Sequence, residues 1–226
     1  MPVPDPAATV LALRPSEDPS DEGFQVLMVH RNSRGFFGDI VVFPGGRVDD
    51  VDAGRGGVDD EDTAHRWAAL REFAEEAGIL VTVDGSVSAP GLRDAAFYEW
   101  LDDQPFTPGL DRLVLVSRWV TPEIAPRRFD TRFYVVACLD PPEVEIDSDE
   151  LVWHEWVAPE VALERQRSGD WSMMQPTISH LRWLSRRVSI EDALCSAQGA
   201  DGRKTTVPWV DDDGSMLAIH MPVEHL

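Results

Sequence analysis

Three glutamates, Glu72, Glu75 and Glu76, stand at i, i+3 and i+4 in the run Arg71-Glu72-Phe73-Ala74-Glu75-Glu76-Ala77-Gly78-Ile79. Residues at that spacing share one face of an α-helix, where like charges repel by about 0.2–0.5 kcal/mol per exposed pair. The cost grows as the groups leave water. A cation is the natural compensation. Carboxylate oxygens are hard ligands and select Mg2+ or Mn2+. An ion held there would polarise phosphate oxygens and activate water. Glutamates also crowd plain solvated helix faces, so the triplet alone does not separate chemistry from surface.

The elements around the triplet must hold it in place. Ala64, Trp67, Ala68, Leu70, Phe73, Ala74 and Ala77 recur at helical spacing, with Thr63 as a cap and Gly78 as the stop. Upstream, Ala7–Leu13 and Phe24–His30 read as strands, and Ile40–Phe43 as a short strand ending in a turn at Pro44-Gly45-Gly46. The acidic, Gly-containing stretch from Asp49 to Asp62 has neither period and is expected to be a mobile loop. Downstream, strands are expected at Ile79–Val83, Leu113–Val120, Phe133–Leu139 and Leu151–Val157, with helices at Arg93–Leu101, Pro159–Arg167 and Pro176–Arg187. The tail from Thr205 to Pro222 suggests two short strands about Asp211-Asp212-Asp213-Gly214. Without repeats or low-complexity linkers, the expectation is one α/β domain over 1–226 with a C-terminal extension from about 188.

Composition narrows the function. Twenty Lys and Arg stand against 41 Asp and Glu, a net charge of −21. That field repels long polyanions, so nucleic-acid binding is disfavoured, while a small anion in a local cationic site remains allowed. Cys138 and Cys195 make no disulfide framework. Neither a signal peptide nor an apolar run approaching the roughly 20 residues of a membrane span is evident. A cytoplasmic protein is the expectation. His30, His65, His154 and His180 show no metal-ligand spacing.

With the Phe43-Pro44-Gly45-Gly46 turn before it, the Arg71–Ile79 segment resembles the Nudix box, and the chain is similar to the Nudix hydrolases from about Ala7 to Leu184. The resemblance implies an α/β/α sandwich around a mixed β-sheet, here with additional peripheral helices. It implies hydrolysis of a diphosphate linkage, with divalent metal held by Glu72, Glu75, Glu76 and the Gly45 carbonyl. It also implies that Arg71 pairs with a box carboxylate and orients it. One departure is plain: Gly46 and Arg71 are further apart than in the standard box. Counted back from Arg71, the early box glutamate falls on Thr63, with Asp62 as a substitute.

The branch it resembles is the peroxisomal coenzyme A diphosphatases, through Arg118-Trp119-Val120-Thr121-Pro122 and Arg127-Arg128-Phe129-Asp130-Thr131-Arg132-Phe133-Tyr134. Members of that branch also interrupt the box with a long loop. Coenzyme A carries a diphosphate and a 3′-phosphate, and guanidinium groups grip phosphate with paired hydrogen bonds. Arg31, Arg34, Arg47, Arg127, Arg128 and Arg132 are therefore the candidate substrate-binding arginines, though each could instead pair with a surface carboxylate. Trp119 is open to two roles, stacking on adenine or packing in the core. A loop acid before a late strand often serves as ligand or base in the family, which implies Glu150, then Asp149. Rival readings are a Nudix enzyme for dinucleotides, nucleotide sugars or capped RNA, and a non-catalytic ligand sensor. Family members are often dimers, which makes a homodimer possible here.

Overall fold

The computed structural model describes residues 3–18, 23–32, 39–55, 61–123, 125–146, 151–199, 205–206, 208–210 and 216–218. In chain order the first elements are β1 (Asp5–Pro15), β2 (Phe24–Arg31), β3 (Ile40–Val42), β4 (Gly45–Arg47), α1 (Asp50–Arg55) and α2 (Glu61–Ala77). Then come β5 (Ile79–Thr82), β6 (Gly85–Ser88), α3 (Asp94–Asp102), β7 (Val114–Val120), β8 (Phe129–Ala137) and β9 (Leu151–Val157). The last are α4 (Pro159–Ser168), α5 (Gln175–Leu184), α6 (Ile190–Gln198), β10 (Thr205–Thr206), β11 (Pro208–Val210) and β12 (Met216–Ala218).

One mixed sheet organises the molecule, in the order β10-β7-β8-β1-β2-β3, with β4 also on β1 and β9 on β2. β1 runs parallel to β8 and antiparallel to β2 and β4. Its central run Val10–Leu13 is apolar on both faces because both faces are covered. Ala8, Val10 and Ala12 face a core shared with Phe73 and Ala74 of α2 and Phe97 of α3. Leu11 and Leu13 face a second core with Leu163 of α4, Trp183 of α5 and Ala193 of α6. Two helical layers therefore sandwich the sheet, as expected for an α/β/α fold.

Several local expectations are corrected. α2 starts at Glu61, ahead of Thr63, so Thr63 lies inside the first turn and is not the cap. Gly45 and Gly46 do not simply end a strand; they form β4, with Thr9 opposite Gly45 and Ala8 opposite Gly46. The stretch expected as a mobile loop contains α1, whose Asp52 is wholly buried. Residues 56–60 of that stretch lie outside the described residues. α6 is an added helix, with the Ser189 hydroxyl accepting from the Asp192 amide at 3.1 Å. In the tail, β11 and β12 pair as a two-stranded sheet, and β10 joins β7 in parallel. Among the described residues no helix is long and apolar enough to cross a membrane.

Candidate active site

A cavity of about 640 Å³ opens where the C-terminal half of α2 meets β4, a size typical of small-molecule sites. Glu72, Glu75 and Glu76 line one side of it, beside Gly45 and Gly46. Phe43, Trp119, Phe129, Phe133 and Pro176 give the same cavity an apolar lining.

Close backbone approach fixes the carboxylate side. A Cβ on Gly46 would fall 2.3 Å from the Glu72 carboxylate, so only glycine leaves that group room. A Cβ on Gly45 would fall 2.3 Å from the Ala8 carbonyl oxygen of the neighbouring strand. The Gly45 amide donates to Glu76 Oε2 at 2.9 Å. One nitrogen of Arg31, Nη2, donates to both the Gly45 carbonyl (2.5 Å) and Glu76 Oε1 (2.6 Å). The carbonyl and the carboxylate thus converge on a single cationic atom, and this donor pair suits a hard cation.

Arg71 is the hub of the remaining charge. It is 1% exposed and donates to both oxygens of Asp52 at 2.9 Å. Its Nη1 lies 3.0 Å from Glu72 and 3.1 Å from Glu75, and its Nη2 donates to the Arg47 carbonyl at 3.0 Å. Burial opposes the guanidinium charge, but Asp52, Glu72 and Glu75 together hold it protonated above its ordinary range. Asp52 is held in turn by the Tyr98 hydroxyl at 2.6 Å and the Asp49 amide at 2.8 Å. The Asp94 amide donates to Glu75 Oε1 at 2.9 Å. Burial pushes Glu72 up to about 8, against the pull of Arg71 and with the help of Glu76 and Glu75. Burial likewise raises Glu75.

Asp52 and Tyr98 were not among the sequence candidates. Arg71 was expected to pair with a box carboxylate, and it does so with Glu72 and Glu75; its two shortest contacts, at 2.9 Å, go to Asp52 in addition. Counting the box interval forward from Gly46, rather than back from Arg71, reaches Asp52 and would have found it. The added residues therefore lie between Asp52 and Arg71. Asp62, the expected substitute, is committed elsewhere: it pairs with Arg66 at 2.7 Å and with Arg132 at 3.1 Å, and accepts from the Tyr134 hydroxyl at 3.0 Å. It does not line the cavity.

The candidate substrate residues divide. Arg31, Arg47, Trp119 and Arg127 line the cavity. Arg127 lies 3.7 Å from Asp5, with its guanidinium 5.0 Å over the Phe129 ring. Arg128 and Arg132 do not line it: Arg128 donates to the Thr121 carbonyl, and Arg132 is engaged with Asp62. Alternation along β8 explains Arg132, because Thr131 and Phe133 face the cavity and leave Arg132 to the opposite face. Trp119 is 3% exposed, so it is a core residue that reaches the cavity wall. Its indole donates to Ser117 Oγ at 3.1 Å, and Ser117 Oγ meets His180 Nε2 at 2.7 Å. His180 Nδ1 lies 2.7 Å from the Pro176 carbonyl, which can only accept. The chain thus fixes the neutral tautomer with its proton on Nδ1. Arg34, Asp149 and Glu150 lie outside the described residues.

The NUDIX domain model matches residues 4–176. The chain belongs to the Nudix hydrolase family. A solved NUDIX hydrolase from Alicyclobacillus acidocaldarius superposes with a TM-score of 0.74 at 28% identity, over 86% of this chain and 97% of that one. Putative nudix hydrolase 7 of Caenorhabditis elegans is 32% identical over a 174-position alignment that covers 72% of this Nudix chain and 56% of the worm protein. The chain thus spans little more than half of that relative. The human acyl-coenzyme A diphosphatase NUDT19 is 27% identical over 88% of this chain and 71% of its own length. In Nudix terms, the box runs from Gly46 through Asp52 to Ile79, and Arg71 ties its early and late carboxylates together.

Proposed function

We propose that the protein hydrolyses the diphosphate linkage of coenzyme A or an acyl-coenzyme A, giving adenosine 3′,5′-bisphosphate and a 4′-phosphopantetheine product. The observation that carries this reading is a single cavity lined both by the Glu72, Glu75 and Glu76 carboxylates and by apolar side chains, with Arg127 lying over Phe129. The carboxylates suit a metal-bound diphosphate, and the apolar and arginine lining suits a planar base with a further phosphate. The likeness to the human acyl-coenzyme A diphosphatase supports the substrate class.

Nudix hydrolases generally use divalent metals such as Mg2+ or Mn2+. Glu72, Glu75, Glu76 and the Gly45 carbonyl are the residues that would hold the ion here. When bound, the ion neutralises phosphate oxygens and lowers the pKa of water. As placed, among the described residues, no three acidic, histidine or cysteine side chains close on one point; they surround guanidinium groups. Arg31 then has two jobs. It balances Glu76 in the resting site, and it is a cation already aimed at an incoming phosphate. Arg71 holds Glu72 and Glu75, the Gly45 amide holds Glu76, and the Asp94 amide holds Glu75. The carboxylates are therefore oriented before any substrate arrives. In the reaction, water adds to one phosphorus and the bridging oxygen leaves with the other phosphate.

The test is a panel of coenzyme A, dephospho-coenzyme A, a dinucleotide, a nucleotide sugar and capped RNA, with Mg2+ or Mn2+ and with excess chelator, products being read by mass spectrometry. Coenzyme A should be cut best and dephospho-coenzyme A less well, with no turnover under chelation. Preference for another diphosphate would overturn the substrate class, and no cleavage of any would overturn the activity.

A further inference from the structure

Arg93, the residue before α3, is a cavity-lining arginine whose side chain has no partner among the described residues. Arg31, Arg47, Arg71 and Arg127, which line the same cavity, each face a carboxylate. Arg93 is exposed and lines the cavity, yet its side chain has neither an ion pair nor a hydrogen bond among the described residues. In a chain with 41 acidic residues against 20 basic ones, an unspent guanidinium at the mouth of an anion-binding cavity is conspicuous.

The backbone at this corner is also unusual. Asp94 has φ +52°, a left-handed conformation that a non-glycine residue adopts at a cost of about 1 kcal/mol or more. That conformation goes with an amide placed on Glu75 Oε1 at 2.9 Å. Arg93 is bonded to the same residue, so the constraint that orients a reacting-side carboxylate also fixes where the free arginine begins.

We propose that Arg93 is a substrate-binding residue that grips the diphosphate group from the α3 side of the cavity. This inference rests on the diphosphatase reading above and adds a specificity contact to it. A long side chain with no partner in the resting state gives up no ion pair on binding, so its contact with a phosphate oxygen adds directly to affinity. The contact lies on the substrate and not on the fold, so stability should not depend on it.

The experiment compares the wild-type chain with Arg93→Ala, Arg93→Lys and Arg182→Ala. Arg182 is exposed on α5 and away from the cavity, and it controls for the loss of one positive charge from a very acidic protein. Steady-state kinetics on coenzyme A are measured with Mg2+. Binding of inorganic pyrophosphate with Mg2+ is measured by calorimetry, and the melting temperature is recorded for each variant. Arg93→Ala should raise both KM and the pyrophosphate Kd by about tenfold, with kcat within about twofold and the melting temperature unchanged. Arg93→Lys should recover part of the loss, and Arg182→Ala should match wild type. Arg93→Ala with unchanged KM and Kd, in a wild-type background that cuts coenzyme A, would overturn this inference alone. Equal weakening by Arg182→Ala would also overturn it, as a field effect. A wild type that neither binds pyrophosphate nor cuts coenzyme A would overturn the diphosphatase reading and this inference with it.

Discussion

Asp52 and Arg71 meet through two buried hydrogen bonds, Nε to Oδ1 and Nη2 to Oδ2, each 2.9 Å long. The pair joins α1 to α2 and sets the guanidinium against Glu72 and Glu75. Removing one partner of a buried pair costs about 3–5 kcal/mol, and the remaining carboxylates on Arg71 place this case at the lower end. Asp52→Ala should lower the melting temperature by roughly 10 °C and turnover at least about tenfold. Thermal unfolding and steady-state kinetics check this; wild-type values for both would remove Asp52 from the site's support.

Glu76→Gln should keep the fold and lose about 100-fold in turnover. The amide keeps the shape of the side chain and removes the charge. Circular dichroism reads the fold, and product formation with Mg2+ or Mn2+ reads the loss. A purified variant with near-normal turnover would contradict the assignment of Glu76 as a metal-holding carboxylate.

Gly46 and Gly54 should respond oppositely to the same substitution. A Cβ at Gly46 would fall 2.3 Å from the Glu72 carboxylate, whereas one at Gly54 meets nothing within 4 Å among the described residues. Gly46→Ala should therefore displace Glu72 and depress kcat by about tenfold or more. Gly54→Ala, inside α1, should be neutral or stabilising by up to about 1 kcal/mol. Paired kinetics and melting curves decide both halves, and an active Gly46→Ala enzyme would refute the close-approach argument.

His180 provides a pH signature. Burial lowers it to about 4 from an ordinary 6.5, although its bond to the Pro176 carbonyl opposes the shift. The unfolded chain therefore takes up the proton first as pH falls. The contribution is complete above about 6.5 and is lost as pH falls through about 4, amounting to about 3 kcal/mol. Stability measured between pH 7 and pH 4 should fall in the wild type. The slope should be shallower in His180→Gln, whatever its absolute melting temperature. Parallel slopes in the two proteins would show that His180 does not carry the effect.

Much of the fold is visible in the sequence because local signals and tertiary packing agree. The apolar, β-prone run within β1 and the 3.6 period of α2 both emerge from their residue types alone. The i, i+3, i+4 glutamates likewise project together, as helix geometry requires. The failures have physical causes. α1 is six residues long and mixes Asp with Gly, so it has no propensity of its own; the buried Asp52–Arg71 pair holds it. α6 carries the capping pattern Ser189 to Asp192, a signal present but unused. Arg132 looked like a phosphate contact because Arg128 and Arg127 stand near it in sequence. Strand alternation, set by the register Ala8 to Arg132, sends it to the opposite face. Asp94 could not be found, since it acts through its backbone amide.

The parallel pairing of β1 with β8 has a consequence for how the chain is made. Asp5 finds Phe129 and Leu13 finds Ala137, so an early apolar strand must wait for a partner more than a hundred positions later. At ordinary ribosomal rates that interval is on the order of 10 s. Loop closure over such a span precedes the contacts that reward it. Until then β1 has only β2 and β4 beside it, and the side that β8 will cover is an open edge able to template another nascent chain. Slow translation or high local concentration should therefore penalise the yield of this protein more than a modest loss of final stability would.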